Sequence, residues 1–193
     1  WCYARRMAKR FGWSFEPTVH PDRLAEPLAI RQPARILTCS MGDLFDPGVP
    51  FDDVAHVWKA MWRSNQHTYM ILTKRPDRLR RFVQEYTGGS LWWTHVWLGV
   101  SVTNQADANE RIPLLLQTPA VVRWVSVEPL LGEVDLRRWL DRDHACGCGG
   151  VCDPREPCPM RDHARLLHWV VVGAQTGPGA VPPKREWVQS ILE

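Results

Sequence analysis

Polar and charged residues follow each of five short apolar runs, where they could bind or react with a ligand. Hydroxyls, carboxylates, cations and glycines all occur there. In chain order they stand in Ser40-Met41-Gly42-Asp43, Thr73-Lys74-Arg75, Ser101-Val102-Thr103-Asn104, Ser126-Val127-Glu128 and Gly173-Ala174-Gln175. Reactive groups of parallel α/β folds sit at the carboxyl ends of the strands, so we expect one ligand site here. The other interpretation is that these residues cap helices and make turns.

Two carboxylates and two cations stand out among these strand ends. Asp43 and Glu128 are the carboxylates that we expect to touch a ligand. Lys74 and Arg75 could meet a carboxylate or a phosphate, because each carries a positive charge. A glycine such as Gly173 lets a ligand approach the backbone closely. Together these residue types indicate a ligand-binding site.

The apolar runs that precede these residues predict strands, and the amphipathic segments between them predict helices. Short continuous apolar runs are typical of strands buried on both faces of a parallel sheet. The predicted strands cover 35–39, 68–72, 96–100, 121–127 and 168–172. The predicted helices cover 2–11, 54–62, 76–86, 105–117, 130–140 and 187–192. Asp52 or Asp53 is the expected N-cap of the second helix, and Pro113 is expected to break or kink the fourth before Leu114.

This alternation predicts a parallel sheet with right-handed crossovers. The chain begins at Trp1 without an initiating Met and stops within a helical pattern, so we expect a piece of a longer protein. A strand ahead of Trp1 would complete six strand–helix units, in either an open doubly wound sheet or a partial (β/α) barrel. Residues 1–140 and 167–193 are assigned to this domain, and 141–166 to a Cys-rich insertion.

Composition excludes a disordered or membrane-spanning protein. The 193 residues are 45% apolar and 23% charged, and no apolar run approaches the roughly 18 residues of a membrane span. Lys and Arg number 24 against 21 Asp and Glu, and the resulting +3 is too small to predict nucleic-acid binding by itself. Since no secretion signal is visible and the chain needs no disulfides, we expect a reducing, cytoplasmic location.

The cysteines and histidines of the insertion could hold a metal ion. They are His144, Cys146, Cys148, Cys152, Cys158 and His163. Four thiolates, or three with a histidine, satisfy tetrahedral zinc. The spacing of Cys146 and Cys148 differs from the CxxC of common zinc fingers, so an auxiliary iron–sulfur cluster and free thiols stay open as alternatives.

Several tryptophans and one further cysteine are expected in the core. Of the 11 tryptophans, five stand out in apolar periodic segments, namely Trp58, Trp62, Trp97, Trp124 and Trp169. Cys39 lies in a strand pattern, which favours a buried thiol over a metal ligand.

Longer motifs give the chain a family resemblance. They are Cys2-Tyr3-Ala4 before a basic helix, Ser40-Met41-Gly42-Asp43-Leu44-Phe45, Leu72-Thr73-Lys74-Arg75-Pro76, Trp97-Leu98-Gly99-Val100-Ser101-Val102, Glu110-Arg111-Ile112-Pro113-Leu114-Leu115, Ser126-Val127-Glu128-Pro129-Leu130-Leu131-Gly132 and 170–179. Together they resemble the phage-associated three-Cys-motif family, a domain of unknown function whose members resemble radical S-adenosylmethionine (SAM) enzymes.

The resemblance implies a partial (β/α)6 TIM-like barrel, here lacking its first strand. In radical SAM enzymes three cysteines after that strand hold a 4Fe–4S cluster, and one iron stays open for SAM. Cleavage of SAM then generates a 5′-deoxyadenosyl radical, while the protein orients the cofactor and excludes water. Cys2 would be the last of the three ligands, and the other two would lie ahead of Trp1.

The resemblance also implies roles for the strand ends. Residues 40–43 would grip the methionyl amine of SAM, and Ser101, Thr103 and Asn104 would face its ribose or carboxylate. Glu128 and residues 173–177 would line the adenine or the substrate side. The full set of expected cofactor-binding residues is Cys2, Tyr3, Ser40, Met41, Gly42, Asp43, Thr73, Lys74, Ser101, Thr103, Asn104, Glu128, Gly173 and Gln175. The family usually carries glutamate where this chain has Gln175, so this member could be altered or inactive.

Two other functions stay open. One is a zinc-stabilised module that binds nucleic acid or a partner protein, indicated by the Cys-rich insertion, by exposed tryptophans and by a basic segment that contains Arg5, Arg6, Lys9 and Arg10. Strongly salt-sensitive binding would favour it. The other is a degenerate barrel that serves as a scaffold. The sequence does not select a substrate, and a nucleic-acid substrate is compatible with the enzyme hypothesis.

Overall fold

Five parallel strands form one sheet in which each strand lies beside the next one in the chain. They are β1 (Arg35–Thr38), β2 (Thr68–Thr73), β3 (Val96–Ser101), β4 (Val122–Val127) and β5 (Trp169–Val172), in the spatial order β1-β2-β3-β4-β5. This computed structural model describes residues 3–89, 93–140 and 166–192. All five predicted strands are confirmed.

The strand order decides between the two architectures that the sequence left open. A doubly wound sheet reverses its strand order at a switch point. Here the order follows the chain without reversal, and the sheet curls into a half-barrel. The fold is therefore a parallel α/β half-barrel, consistent with a partial TIM-like barrel.

Helices alternate with the strands, as the sequence predicts. They are α1 (Tyr3–Phe11), α2 (Glu26–Ala29), α3 (Phe51–Arg63), α4 (Pro76–Tyr86), α5 (Gln105–Leu116), α6 (Arg137–Leu140) and α7 (Arg185–Leu192), with a 3-10 turn over Pro21–Arg23. In the part of the chain that the structure describes, no helix combines the length and apolar character needed to cross a membrane.

The core lies between one face of the sheet, called here the outer face, and helices α3, α4 and α5. Each helix turns a buried apolar stripe inward, for example Val54 and Met61 on α3 and Leu79 on α4. The strands contribute fully buried side chains to the same core, which include Ile71, Leu98, Val100 and Val125. Each such side chain stabilises the fold by about 1.5–3 kcal/mol.

Tryptophans fill the opposite, inner face of the half-barrel. Register places Gly99 beside Trp124 and Trp124 beside Trp169. The Trp124 indole lies over Gly99, so closely that a Cβ there would meet ring atoms at less than 3.0 Å. The Trp169 ring lies 5.9 Å from those of both Trp97 and Trp124, and the Arg35 guanidinium lies over Trp97 at 5.7 Å.

Two helix predictions need correction in detail. Pro113 does not break α5, because Ile112 and Leu115 bury themselves on either side of it and Gln117 N still donates to the Pro113 carbonyl. The helix predicted over 130–140 is confined to α6. Leu130 N donates instead to the Gly173 carbonyl and Leu131 N to the Thr103 carbonyl. Because these amides bond to the loops after β5 and β3, they do not form helical hydrogen bonds.

Three local expectations also need correction. Helix α3 starts at Phe51, where the Pro50 carbonyl accepts from the amides of residues 53 and 54, so no aspartate caps it. Cys39 is exposed, because β1 ends at Thr38 and the chain turns there. Trp58 and Trp124 are buried as predicted, but Trp62 is 56% exposed and Trp169 is 37% exposed.

Candidate functional site

The predicted polar residues converge on one edge of the half-barrel, called here the rim. It consists of residues 39–46, 73–75, 101–104, 126–131 and 173–177, which follow the carboxyl ends of the five strands. Backbone hydrogen bonds join neighbouring parts of it: Val102 N donates to the Ser126 carbonyl at 2.8 Å, and Gly173 N to the Val127 carbonyl at 3.1 Å. Parallel strands with sequential order impose this convergence.

Asp43 joins the first two strand ends. Its Oδ1 accepts hydrogen bonds from Thr73 Oγ1 at 2.7 Å and from Phe45 N at 3.0 Å, while Oδ2 accepts from Lys74 N at 2.8 Å. Thr73 is buried and Asp43 is half-buried. The carboxylate therefore shapes the rim from within, and direct contact with a ligand stays a prediction.

The turn between β1 and Asp43 presents open backbone. Ser40, Met41 and Gly42 are exposed, and Gly42 N donates to the Cys39 carbonyl at 3.0 Å. No atom lies within 4 Å of where a Cβ on Gly42 would stand, which leaves room beside the chain. Although the Cys39 residue is exposed, neighbouring protein atoms displace part of the water around its sulfur and raise the pKa of the thiol, and the negative charge of Asp43 raises it further.

Glu128 is the carboxylate best placed to meet a ligand. It is exposed, and among the described residues its one hydrogen bond comes from Ser126 Oγ to Oε2 at 3.0 Å. Its carboxyl group lies directly over Gly173, in the space that a Cβ atom at position 173 would occupy. Ser126 is buried beside Ser101, its register partner on β3. Two hydroxyls and one open carboxylate thus stand together at the end of β3 and β4.

Thr103 and Asn104 are engaged in a helix cap. Asn104 Oδ1 accepts from Asp107 N at 2.9 Å, and Asp107 Oδ2 accepts from both N and Oγ1 of Thr103. Such reciprocal bonds satisfy the free amides of a helix start. Arg111 pairs with Asp107 at 2.7 Å and donates to the Ser101 carbonyl at 2.7 Å. Contacts of Thr103 and Asn104 with ribose or carboxylate stay predictions.

Asp107 and Arg111 have no predicted role at the site, although an Asn followed three residues later by an acid is a pattern that signals a capped helix. These two residues matter because they fix the β3 end of the rim. From α5, Arg111 donates to the carbonyl of Ser101 at the end of β3 and pairs with Asp107 on its own helix. These bonds fasten the start of α5 to the rim.

Helix α1 reaches the rim from the other side. Arg6 Nη1 donates to the Thr176 carbonyl at 3.4 Å, and the guanidinium covers Gly177, whose φ of +99° favours glycine. Gln175 Oε1 accepts from Val181 N at 3.1 Å and so closes the loop in which both lie. The sequence predicts a place at the site for Gln175 but not for Arg6, since no local pattern signals a contact 170 residues away.

Two groups of predicted metal ligands fall outside the described residues. Cys2 is one, and the cysteines of the insertion, Cys146, Cys148, Cys152 and Cys158, are the other. Across 3–89, 93–140 and 166–192, no three His, Cys, Asp or Glu side chains stand together as metal ligands.

A shallow depression of about 350 Å³ opens at the opposite, amino-terminal edge of the inner face. It is lined by Arg35, Trp97, Val122, His168 and Trp169. Burial lowers the pKa of His168, and the positive charge of Arg123 lowers it further. His168 Nδ1 accepts from Arg123 N at 3.1 Å, which leaves this imidazole neutral and structural.

Fold and rim together define a parallel α/β half-barrel whose polar strand ends form a single candidate site. The chain belongs to the family DUF5131, described as a protein of unknown function, whose family model matches residues 1–193. No curated protein and no solved structure matches the chain.

Proposed function

We propose that this chain is a radical SAM-type enzyme whose rim binds SAM beside a 4Fe–4S cluster ligated by Cys2. One observation carries the proposal: all five strand ends meet at one rim, and helix α1 contacts that rim through Arg6. Arg6 stands three residues after Tyr3, where α1 begins, which is about 4.5 Å along a helix. The proposal thereby assigns Cys2, which precedes α1, to the mouth of the half-barrel.

The rim chemistry supports a ligand that carries positive charge. SAM has an ammonium group and a sulfonium centre, and Glu128 offers an exposed carboxylate with accepting capacity left. The open backbone of 40–42 could meet the polar methionyl part of the molecule. These residues fit SAM, so in this proposal Glu128 binds its positive charge and Asp43 keeps the 40–42 turn in place.

The cluster would supply the electron that cleaves the sulfonium C–S bond of bound SAM. The residues of the chain itself would bind SAM, orient it and enclose it. Ser126 donates to the Glu128 carboxylate and holds it at the rim, and Arg6 holds the loop that contains Gln175. The Trp97, Trp124 and Trp169 rings keep the inner face apolar. An apolar interior protects a reactive species from water.

Gln175 bears on the degenerate-scaffold alternative. Its amide oxygen accepts a backbone hydrogen bond from Val181, a role that a glutamate oxygen would fill equally well. Glutamine in place of the usual glutamate therefore keeps the hydrogen bond that anchors this loop, and we propose that the chain is an active enzyme and not a degenerate scaffold.

The experiment is anaerobic iron–sulfur reconstitution of the full gene product, in which the resemblance expects two cysteines ahead of Trp1. We expect absorbance at about 400 nm from a thiolate-bound cluster. The variant Cys2→Ser should lose most of it, and the matched variant Cys39→Ser should keep it, because the proposal gives Cys39 no part in holding the cluster. Absence of the band, or equal bands in both variants, would refute the proposal.

A further inference from the structure

An exposed surface of aromatic and basic residues lies at the end of α1 and just beyond it. This aromatic–basic surface comprises Arg5, Lys9, Arg10, Phe11, Trp13 and Phe15. Its rings are among the most exposed large apolar groups of the described chain: Phe11 is 51%, Trp13 is 59% and Phe15 is 47% exposed. Helix α1 contributes the cations and has no acidic residue.

The rings and the cations of this surface are stacked on one another. The Phe11 and Trp13 rings are parallel to within 23°, with their centroids 4.9 Å apart. The Arg5 guanidinium lies over Phe15 at 4.9 Å, and that of Arg10 lies over Phe11 at 5.6 Å. Flat π faces and positive charges are therefore held together within one short stretch of chain.

We propose that the aromatic–basic surface binds single-stranded nucleic acid. Every base presents a π face that stacks on an aromatic ring, and each backbone phosphate attracts Arg and Lys. This is the pairing of groups that the surface offers, with the Trp13 ring exposed for bases and the α1 cations for phosphates. The overall charge of +3 understates the attraction of this surface for phosphates, because the cations of α1 stand within nine residues that include no anion.

The arrangement favours a nucleic acid over a membrane surface. A membrane-binding helix segregates its apolar groups onto one face and its cations onto the other. Helix α1 is itself amphipathic, but beside Phe11 and Phe15 two guanidinium groups lie over the rings, so charge and ring occupy the same side there. Anionic lipid would meet the cations, but the rings beneath them could not enter a bilayer without burying charge.

The surface is continuous in sequence with the rim contact, since Arg6 of the same helix donates to the Thr176 carbonyl. A strand held on α1 would therefore lead towards the rim, where Lys74 and Arg75 are exposed. This second part rests on the proposed function and names its substrate class: a nucleotide within a single strand.

Fluorescence anisotropy of the full gene product with labelled oligo(dT) of about 20 nucleotides tests the proposal. SAM and reductant are left out, so a negative result counts against the surface and not against the enzyme. We expect affinity that falls steeply between about 50 and 200 mM salt. Vesicles of phosphatidylglycerol serve as the competing anionic surface.

Two variants and their matched controls give the decisive comparison. Trp13→Ala removes a stacking face and should weaken binding about tenfold. Lys9→Gln removes one phosphate contact and should lower the slope of log affinity against log salt by about 0.7. Trp62→Ala and Lys59→Gln change equally exposed residues of α3 and should leave both quantities unchanged.

Binding of the oligonucleotide with these two selective losses supports the proposal. Each of three results overturns it: no binding at low salt, losses of the same size in the α3 controls, or tighter association with vesicles than with oligo(dT). Because Trp13 and Lys9 are exposed, their replacement leaves the buried core intact.

Discussion

Asp43 and Thr73 lie 30 residues apart in the chain, yet the Thr73 hydroxyl donates to the Asp43 carboxylate at 2.7 Å. The same carboxylate accepts the Lys74 amide on its other oxygen. One side chain from the end of β1 thus fixes the end of β2. Residues that the sequence predicts as ligand contacts therefore also build the rim that would receive the ligand.

Asp43→Asn tests this construction role. An amide has one acceptor oxygen, so its NH2 group would face a backbone or hydroxyl donor that is left without a partner. We expect the free energy of unfolding to fall by about 1–3 kcal/mol, measured by urea denaturation. Glu133→Gln, at an exposed acid, is the control and should change stability little. Equal stability of the two variants would contradict the role given to Asp43.

Gly99→Ala tests the packing of the inner face. The new methyl group would strike the ring of Trp124, which is 3% exposed and cannot move aside. We expect a loss of about 1–3 kcal/mol in unfolding free energy, as for other overpacked cores. A neutral result from chemical denaturation would show that the indole does not lie over this glycine.

Gly173→Ala provides an informative contrast. Its methyl group would also meet a side chain, but Glu128 is exposed and can swing away at the cost of its bond to Ser126. We expect a loss of about 1 kcal/mol or less. The same change in a Glu128→Ala background should cost nothing, because the obstructing group is absent. A double-mutant cycle that shows no coupling between the two positions would argue against their contact.

His168 predicts a loss of stability in mild acid. Burial and the charge of Arg123 lower its pKa below 6.5 in the folded chain, while the unfolded chain binds a proton more readily. The contribution of the neutral His168 to the free energy of unfolding is therefore complete above pH 6.5, and it is lost as the pH falls towards the lowered pKa. In His168→Asn, urea midpoints at about pH 7.5 and 5.5 should differ less than in the parent chain. An unchanged difference would refute the assignment.

The Cys-rich insertion carries a metal prediction of its own. Metal analysis of the purified protein should find about one zinc per chain, because four thiolates suffice for a tetrahedral site. Combined replacement of Cys146 and Cys148 by serine should release it, whereas Cys39→Ser should not. A preparation with neither zinc nor iron at this site would defeat the prediction.

The sequence predicted the strands and the rim well because both depend on local pattern plus topology. Continuous apolar runs such as 96–100 belong to strands covered on both faces, and parallel order then brings their ends together. The helix over 130–140 was predicted wrongly for the converse reason. Its apolar spacing is helical, but the amides of Leu130 and Leu131 bond to distant rim loops.

The contacts that complete the candidate site were beyond local reasoning. Arg6 contacts the Thr176 carbonyl across 170 residues, and the Glu128 carboxyl group lies over Gly173, which follows the next strand. Neither partner carries a signal in its own neighbourhood. Asp107 and Arg111 are different, since their capping pattern could have been recognised in the sequence.

The most direct test of the account is the release of 5′-deoxyadenosine. The reconstituted full gene product is incubated anaerobically with SAM and a low-potential reductant, and the nucleoside is separated by chromatography. We expect 5′-deoxyadenosine to accumulate with time, and Glu128→Gln to slow its formation because the rim loses its open negative charge. A protein that holds its cluster yet releases no 5′-deoxyadenosine above a Cys2→Ser control would contradict the proposed function.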